Sequence, residues 1–241
     1  MKILAGEQSV TVGTTAIRYE LAYSKRKTIG IRIYPDGRVS VTAPTGLARA
    51  EIEKIVLKRA DWIVRHQKKF QAAPRPIPLP RRYVTGETYQ FLGKPYTLQV
   101  SEDRTERVEL GEGTLNIFVA QSSNTKRIAS LIERWYRTQA ERIFTARLAA
   151  CFPRVHFMAV QMPILTIRTM KTRWGSCTSK GRVTLNRKLL HMSEDLIDYV
   201  ILHELCHLKE MNHSPRFYAL MDRVLPNWRE CRKRLNANAV G

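Results

Sequence analysis

Between residues 10 and 43 apolar positions recur at every second place. Ile17-Arg18-Tyr19-Glu20-Leu21 alternates, as do Ile29 to Ile33 and Val39-Ser40-Val41. A period of two puts one side of a strand in a core and the other in water, so this stretch predicts β-strands. Pro35-Asp36-Gly37-Arg38 carries turn chemistry between two of the runs and predicts a hairpin. From Arg49 to Phe70 the period changes. Ile52, Ile55, Val56, Leu57, Trp62 and Ile63 recur at helical spacing, which predicts one amphipathic helix. Pro74-Arg75-Pro76-Ile77-Pro78-Leu79-Pro80 then reads as a stiff, extended connector. It divides a β-rich N-terminal part, residues 1–80, from a second part, residues 81–241.

Strand periodicity returns from Tyr83 to Val119, interrupted at Gly93-Lys94-Pro95 and Gly111-Glu112-Gly113. Ser123 to Ala150 predicts a long helix with Ile128, Leu131, Ile132, Trp135, Ala140, Ile143 and Leu148 on its apolar face. Ile164 to Arg168 and Arg182 to Asn186 read as strands, with a loop from Lys171 to Gly181 between them. Ser193 is an N-cap candidate, followed by Glu194 and Asp195 in the first turn, where the helix dipole favours acids. Leu196, Ile197, Val200, Ile201 and Leu205 form the inward face of that helix. Ser214-Pro215 starts a further helix, and Asn212 suits a sharp reversal before it. No internal repeat is visible, and the two β-rich stretches are not obviously similar. Segregated strands and helices make the class α+β.

Chemistry concentrates on the helix that starts at Ser193. The run His203-Glu204-Leu205-Cys206-His207 reads H-E-x-x-H. Residues i and i+4 share a helix face, so both imidazoles reach one metal ion. Glu204 follows the first ligand and suits a general base acting on a metal-bound water. His213 can supply a third ligand once the chain reverses. Three protein ligands leave a fourth position open, which marks a catalytic site and not a structural one. Three neutral nitrogens suit Zn2+. Cys206 falls on the opposite side of the helix and reads as a small core residue.

Composition adds to this picture. Of 241 residues, 41 are Lys or Arg and 21 are Asp or Glu, a formal charge of +20. The excess is +9 over residues 1–80, +4 over 81–160 and +7 over 161–241, so it belongs to the folded surface and not to a tail. Such a surface attracts polyanions, and nonspecific nucleic acid is an expected partner. No apolar run is long enough to cross a membrane, and Met1 to Val10 has no apolar signal core. The expected compartment is the cytoplasm. Cys151, Cys177, Cys206 and Cys231 are scattered, which suggests neither a disulfide framework nor a zinc ribbon.

Thr172-Arg173-Trp174-Gly175-Ser176-Cys177, the strand ending Leu185-Asn186, the H-E-L-C-H run and Asn212-His213-Ser214-Pro215-Arg216-Phe217 occur here in one order. Together they resemble the YgjP-like metal-dependent hydrolases, relatives of zinc metallopeptidases of the SprT and WLM type. The resemblance implies a zincin-like core of a small sheet, a metal helix and backing helices. By position it makes His203, His207 and His213 the zinc ligands and Glu204 the catalytic base. It sets the Arg173–Cys177 loop beside the metal. There Arg173 could hold an anionic group, Trp174 could form a wall or anchor the core, and Asn186 is counted with them as a substrate contact. Cys177 could add a resting-state ligand, and His191 could stabilise an oxyanion. The His spacing also matches metzincins, but their glycine position is Glu210 here.

The expected activity is zinc-dependent hydrolysis of a peptide or protein substrate. One alternative is a metal-dependent nucleoside triphosphate pyrophosphatase, although no Asp/Glu cluster suits a second metal. Another is a nucleic-acid-associated protein with a structural metal site, which the intact Glu204 and the open coordination position argue against.

Overall fold

The computed structural model describes residues 3–13, 15–34, 36–72 and 81–238. The proline-rich stretch from Pro74 to Pro80 and Pro35 of the hairpin turn lie outside them. By its internal contacts the chain divides into two units, Met1–Pro80 and Arg81–Gly241. Among the described residues no helix is long and apolar enough to cross a membrane.

The first unit is a four-stranded sheet with two helices. Strands β1 (Ile3–Val12), β2 (Thr15–Ser24), β3 (Gly30–Ile33) and β4 (Val39–Pro44) lie in the order β1-β2-β4-β3. The outer pairs are antiparallel and the central β2–β4 pair is parallel. The alternation read from the sequence explains the core. Ile17, Tyr19 and Leu21 are buried on one face while Arg18 and Glu20 stay exposed. Helices α1 (Arg49–Lys58) and α2 (Ala60–Ala72) supply Ile52, Val56 and Ile63 to the same core. A single helix was expected here. It breaks at Arg59, whose φ of −104° and ψ of 6° leave the helical region.

The second unit opens with the same plan. Strands β5 (Thr88–Phe91), β6 (Lys94–Glu102), β7 (Arg107–Leu110) and β8 (Thr114–Val119) lie in the order β5-β6-β8-β7, again with antiparallel outer pairs and a parallel centre. A helix again follows the fourth strand, α3 (Thr125–Cys151), capped by Asn124, whose side chain accepts from the Arg127 N–H at 3.0 Å. A four-strand-plus-helix plan therefore occurs twice. The sequence reading found no repeat because alternation constrains only residue class, not identity.

Onto this second plan the chain adds a three-stranded sheet and three helices. Strands β9 (Ile164–Arg168), β10 (Gly175–Thr178) and β11 (Arg182–Asn186) lie in the order β10-β11-β9, so β10 is an edge strand. It falls inside the stretch Lys171 to Gly181 that was expected to be loop. Helices α4 (Glu194–His207), α5 (Pro215–Val224) and α6 (Trp228–Ala237) follow. Helix α4 is the centre of this unit. It packs against α3, α5, α6 and β10. Leu196, Ile197, Val200, Ile201, Leu202, Leu205 and Cys206 are all buried, so apolar residues surround it and the inward face is broader than the sequence suggested. At about 1.5–3 kcal/mol for each buried Leu, Ile or Val, packing and not propensity holds this helix in place. Ser193 occupies the N-cap position but makes no capping bond. Its Oγ instead accepts from Arg234 Nη2 at 3.3 Å, and Arg234 also pairs with Asp195 at 2.5 Å, which ties α6 to the start of α4.

Candidate metal centre

Helix α4 carries His203 and His207 one turn apart. The chain leaves the helix at His207 and turns back through residues 208–213. Backbone N–H groups of Lys209 and Glu210 both reach the Cys206 carbonyl, and the Ser214 N–H reaches the Asn212 carbonyl at 2.8 Å. Asn212 lies in this reversal without a left-handed backbone; the described non-glycine residues with one are Tyr83, Leu92 and Ala159. Ser214 then caps α5, its Oγ accepting from the Phe217 N–H at 3.3 Å, with Pro215 in the first turn. This reversal returns His213 to the other two histidines.

Ring nitrogens of His203, His207 and His213 all lie within 4.8 Å of one another, an arrangement that could hold a metal ion. His203 Nε2 and His213 Nε2 are 3.1 Å apart. Two nitrogens at about 2.0–2.1 Å from one tetrahedral zinc stand roughly 3.3–3.4 Å apart, so the donor set fits. His207 Nδ1 lies 2.9 Å from the Glu210 carbonyl oxygen, which makes Nδ1 the donor and frees Nε2. Phe217 stacks on His207, with ring centres 4.5 Å apart. Burial pushes the His203 imidazole down to about 3, helped by the neighbouring His207 and His213, and it holds the His213 imidazole below its usual range. Both rings are therefore neutral, the form that ligates a metal.

Glu204 is 5% exposed, and its carboxyl has no hydrogen-bond partner among the described residues. Burial raises its pKa to about 8, against the opposing pull of Arg173. A buried carboxyl with no partner is costly, and such groups collect at functional sites. Glu204 faces the same cavity as the histidines, of about 520 Å3. One wall of that cavity is Arg173, Trp174 and the edge strand β10; the other is formed by Tyr199, Arg232 and Asn236. Gly175 is in close contact with Glu204. A Cβ there would stand 2.6 Å from the Glu204 Oε1 and 2.8 Å from its Cγ.

The remaining expectations divide. Arg173 and Trp174 line the cavity, and Trp174 also packs on the hydrophobic core. Asn186 does not line it. It is fully buried, its Nδ2 donating to the carbonyls of Met170 and Arg173 and its Oδ1 accepting from the N–H groups of Met170 and Lys188. It therefore holds the loop that carries Arg173. Cys177 lines the cavity as a thiol whose pKa burial lifts to about 11, outside the histidine group. His191 faces a different cavity. Cys206 is buried in the core as expected. Arg232, Tyr199 and Asn236 went unnoticed in the sequence. Only Tyr199, one turn before His203, carried a local signal. Arg232 and Asn236 arrive from α6 and needed the fold.

No curated protein matches the sequence. Two solved structures overlap it in part. The metallopeptidase zymogen abylysin of Pyrococcus abyssi is 27% identical, over 38% of this chain and 90% of that one, with a TM-score of 0.34. The metallopeptidase zymogen jannalysin of Methanocaldococcus jannaschii is 20% identical, over 39% of this chain and 95% of that one, also with a TM-score of 0.34. The family model described as YgjP-like, metallopeptidase domain, matches residues 27–238. The chain belongs to the YgjP-like family and is a metal-dependent hydrolase.

Proposed function

We propose that this protein is a zinc metallopeptidase with a zincin-like core, in which His203, His207 and His213 hold the metal and Glu204 is the general base. Residues 81–241 form the catalytic part and residues 1–80 a separate β-rich part. The observation that carries this is the convergence, on a single cavity, of three imidazoles and one buried carboxyl that has no hydrogen-bond partner among the described residues. When bound, zinc supplies a Lewis acid that polarises the scissile group and makes water acidic enough to attack. The chain's own residues do the rest. Glu204 takes the proton of the attacking water and passes it to the leaving amine. The Glu210 carbonyl fixes the His207 tautomer. The free edge of β10 pairs with an extended peptide, as exposed sheet edges do. All four cysteines are free, which suits a reducing compartment such as the cytoplasm.

Arg173 and Arg232 refine the substrate. Both guanidinium groups line the cavity, and neither has an ion-pair partner among the described residues. An acidic side chain or a terminal carboxylate near the scissile bond would pair with them. The same feature is what favours the second reading, hydrolysis of a nucleoside triphosphate, and one screen separates the two. Zinc-loaded protein is offered a mixed peptide library and nucleoside triphosphates in parallel. Cleavage of peptides, enriched in acidic residues near the cut, is the expected result; cleavage of triphosphates alone would replace this reading with the second. Glu204→Gln should keep one zinc per chain and lose several orders of magnitude in rate, since an amide accepts no proton. His213→Ala should lose zinc itself, and unchanged zinc content would remove His213 from the site.

A further inference from the structure

Hydrolysis at the histidine cavity needs a base for the water and a donor for the negative charge that develops on the scissile oxygen. His191, the residue the sequence offered as that donor, faces a different cavity. Tyr199 stands where the donor is needed. It lies on α4 one turn before His203 and lines the same cavity. Its ring meets the His203 imidazole edge-on, with centres 6.0 Å apart. The residue is only 6% exposed. The described side-chain polar atoms that are both buried and without a partner are Gln8 Oε1 and Tyr19 Oη. Tyr199 Oη is not among them and makes no hydrogen bond to the described residues, so it opens on the cavity. A phenol keeps its proton at neutral pH and can donate it to a hydrogen bond.

Helix geometry sets Tyr199 and the base apart. Successive residues of an α-helix turn by about 100°. With His203 as the origin, His207 falls about 40° and Glu204 about 100° to one side, and Tyr199 about 40° to the other. Glu204 and Tyr199 therefore flank the two helix histidines. The walls agree with this. Glu204 abuts Gly175 on the β10 side, while Tyr199 shares its wall with Arg232 and Asn236 of α6. A scissile group seated over the histidines has its water on the Glu204 side and its oxygen on the Tyr199 side. Other donors line the cavity but suit the role less. Trp174 and Ser176 stand on the wall nearer Glu204, and Arg173, Arg232 and Asn236 are exposed. Tyr199 is held by burial, and a donor fixed before the reaction stabilises charge better than one that must first be ordered.

We propose that the Tyr199 hydroxyl donates a hydrogen bond to the oxyanion formed during hydrolysis and is a further catalytic residue of this site. As water attacks, its oxygen bonds to the carbonyl carbon, one of its protons passes to Glu204, and the C=O electron pair moves to the carbonyl oxygen. Tyr199 Oη–H meets that oxygen and keeps its own proton. On collapse the pair returns, the C–N bond breaks, and the proton held by Glu204 passes to the amine. The role rests on the hydrolytic reading of the histidine site given above, but not on which bond is cut, because charge gathers on a phosphoryl oxygen as well.

Tyr199→Phe tests this, since it removes the hydroxyl and keeps the ring. The hydroxyl has no partner in the resting fold, so zinc content and melting temperature should not change. Turnover is measured on casein and on ATP with zinc-loaded protein. The variant should keep KM and lose about 100-fold in kcat, the scale of one missing oxyanion donor. A third probe reads binding alone. It is an acetylated tetrapeptide amide of glutamate and alanine in which a tetrahedral phosphinate replaces the central amide. Calorimetry should show it binding the variant at least tenfold more weakly than the unaltered protein. If neither casein nor ATP is cleaved, this binding decides alone. The proposal falls if the variant keeps its kcat, if it binds the phosphinate as the unaltered protein does, or if the unaltered protein does not bind the phosphinate. Loss of zinc or a lower melting temperature in the variant also overturns it, and makes the tyrosine structural. Casein cleaved with unchanged kcat would remove the donor and leave the peptidase reading standing. ATP cleaved alone, with kcat lowered in the variant, would remove the peptidase reading and leave the donor standing.

Discussion

Gly175 has no side chain, and Glu204 occupies the space one would need. A methyl group there would stand 2.6 Å from Oε1 and 2.9 Å from Cδ, too close for the carboxyl to stay where it is. Gly175→Ala should therefore turn Glu204 away from the histidines without touching a ligand. Misplacing a catalytic group by about 1 Å costs on the order of a hundredfold in rate. The expected result is full zinc content with hydrolysis down by about that factor, measured on the same preparation. Zinc loss would show instead that the substitution disturbs α4 as a whole. Glycine was visible in the sequence, within Arg173-Trp174-Gly175-Ser176-Cys177, but the reason for it was not, because its neighbour in space lies twenty-nine positions along the chain. His191 offers a residue-scale test of a different kind. Its pKa is about 4 in the fold and about 6.5 when unfolded, so the native state refuses a proton that the unfolded chain accepts between those values. Its contribution to stability is complete above pH 6.5 and is lost as the pH falls towards 4. At 1.36 kcal/mol per unit the loss is about 3 kcal/mol at most. Urea unfolding from pH 7.5 to 4, in phosphate-free buffer, should show a steeper decline for the unaltered protein than for His191→Phe. Parallel curves would mean that the imidazole titrates alike in both states.

At the scale of elements, the decisive connections are those that hold the loop between β9 and β10. Asn186 ends β11 and uses both amide atoms on its neighbours, reaching Met170, Arg173 and Lys188. Asn186→Ala would strand those buried backbone groups, at a cost of about 1–3 kcal/mol. For a domain of this size each kcal/mol lowers Tm by roughly 2–4 °C. Thermal melting should therefore drop by several degrees, and hydrolysis should fall with it as Arg173 loses its anchor. Unchanged melting with lost activity would return Asn186 to the role of substrate contact. Periodicity made most elements legible: β2 to β4 of the first unit, the long helix α3 and helix α4 follow from it, capping chemistry gave the Ser214–Pro215 start of α5, and β1, which lies almost wholly before residue 10, was missed. It failed where geometry depends on partners. Nothing in the repeat of Ile52, Val56 and Ile63 signals that the backbone breaks at Arg59. The four residues of β10 read as loop because the run opens on a glycine and a serine and has no large apolar residue to alternate, and pairing with β11 makes them a strand. Ser193 looked like a cap, but Arg234, forty-one residues on, takes its hydroxyl.

At the scale of the whole molecule, the repeated four-strand-plus-helix plan and the surface charge are separate facts, legible to different degrees. The repeat was hidden, since a strand needs only alternating residue classes. Charge needs no fold to be read. The excess of +20 is carried by both units, and much of it lies in exposed clusters. Lys25, Arg26 and Lys27 are exposed between β2 and β3, and Arg137 is exposed on α3 without an ion-pair partner among the described residues. Ion pairing absorbs some of the rest, as where Arg107 bridges Asp103 and Glu109, or Arg147 bridges Glu194 and Asp198. The unpaired remainder should bind nucleic acid through its phosphates. Each neutralised phosphate releases counterions, so affinity falls with salt at a logarithmic slope of about −0.9 per contact on duplex DNA. Titrating single- and double-stranded DNA at several salt concentrations should give micromolar-scale affinity at low salt, little dependence on sequence and a steep salt slope. Lys25→Gln, Lys27→Gln and Arg137→Gln should each reduce that slope by about 1 if they touch phosphate, and weaken all sequences alike. Glu204→Gln should not alter it, because the histidine cavity must stay free for substrate while DNA is bound. Absence of binding at low salt would mean that the basic excess is a solvated surface, and that this hydrolase meets its substrates without a nucleic-acid scaffold.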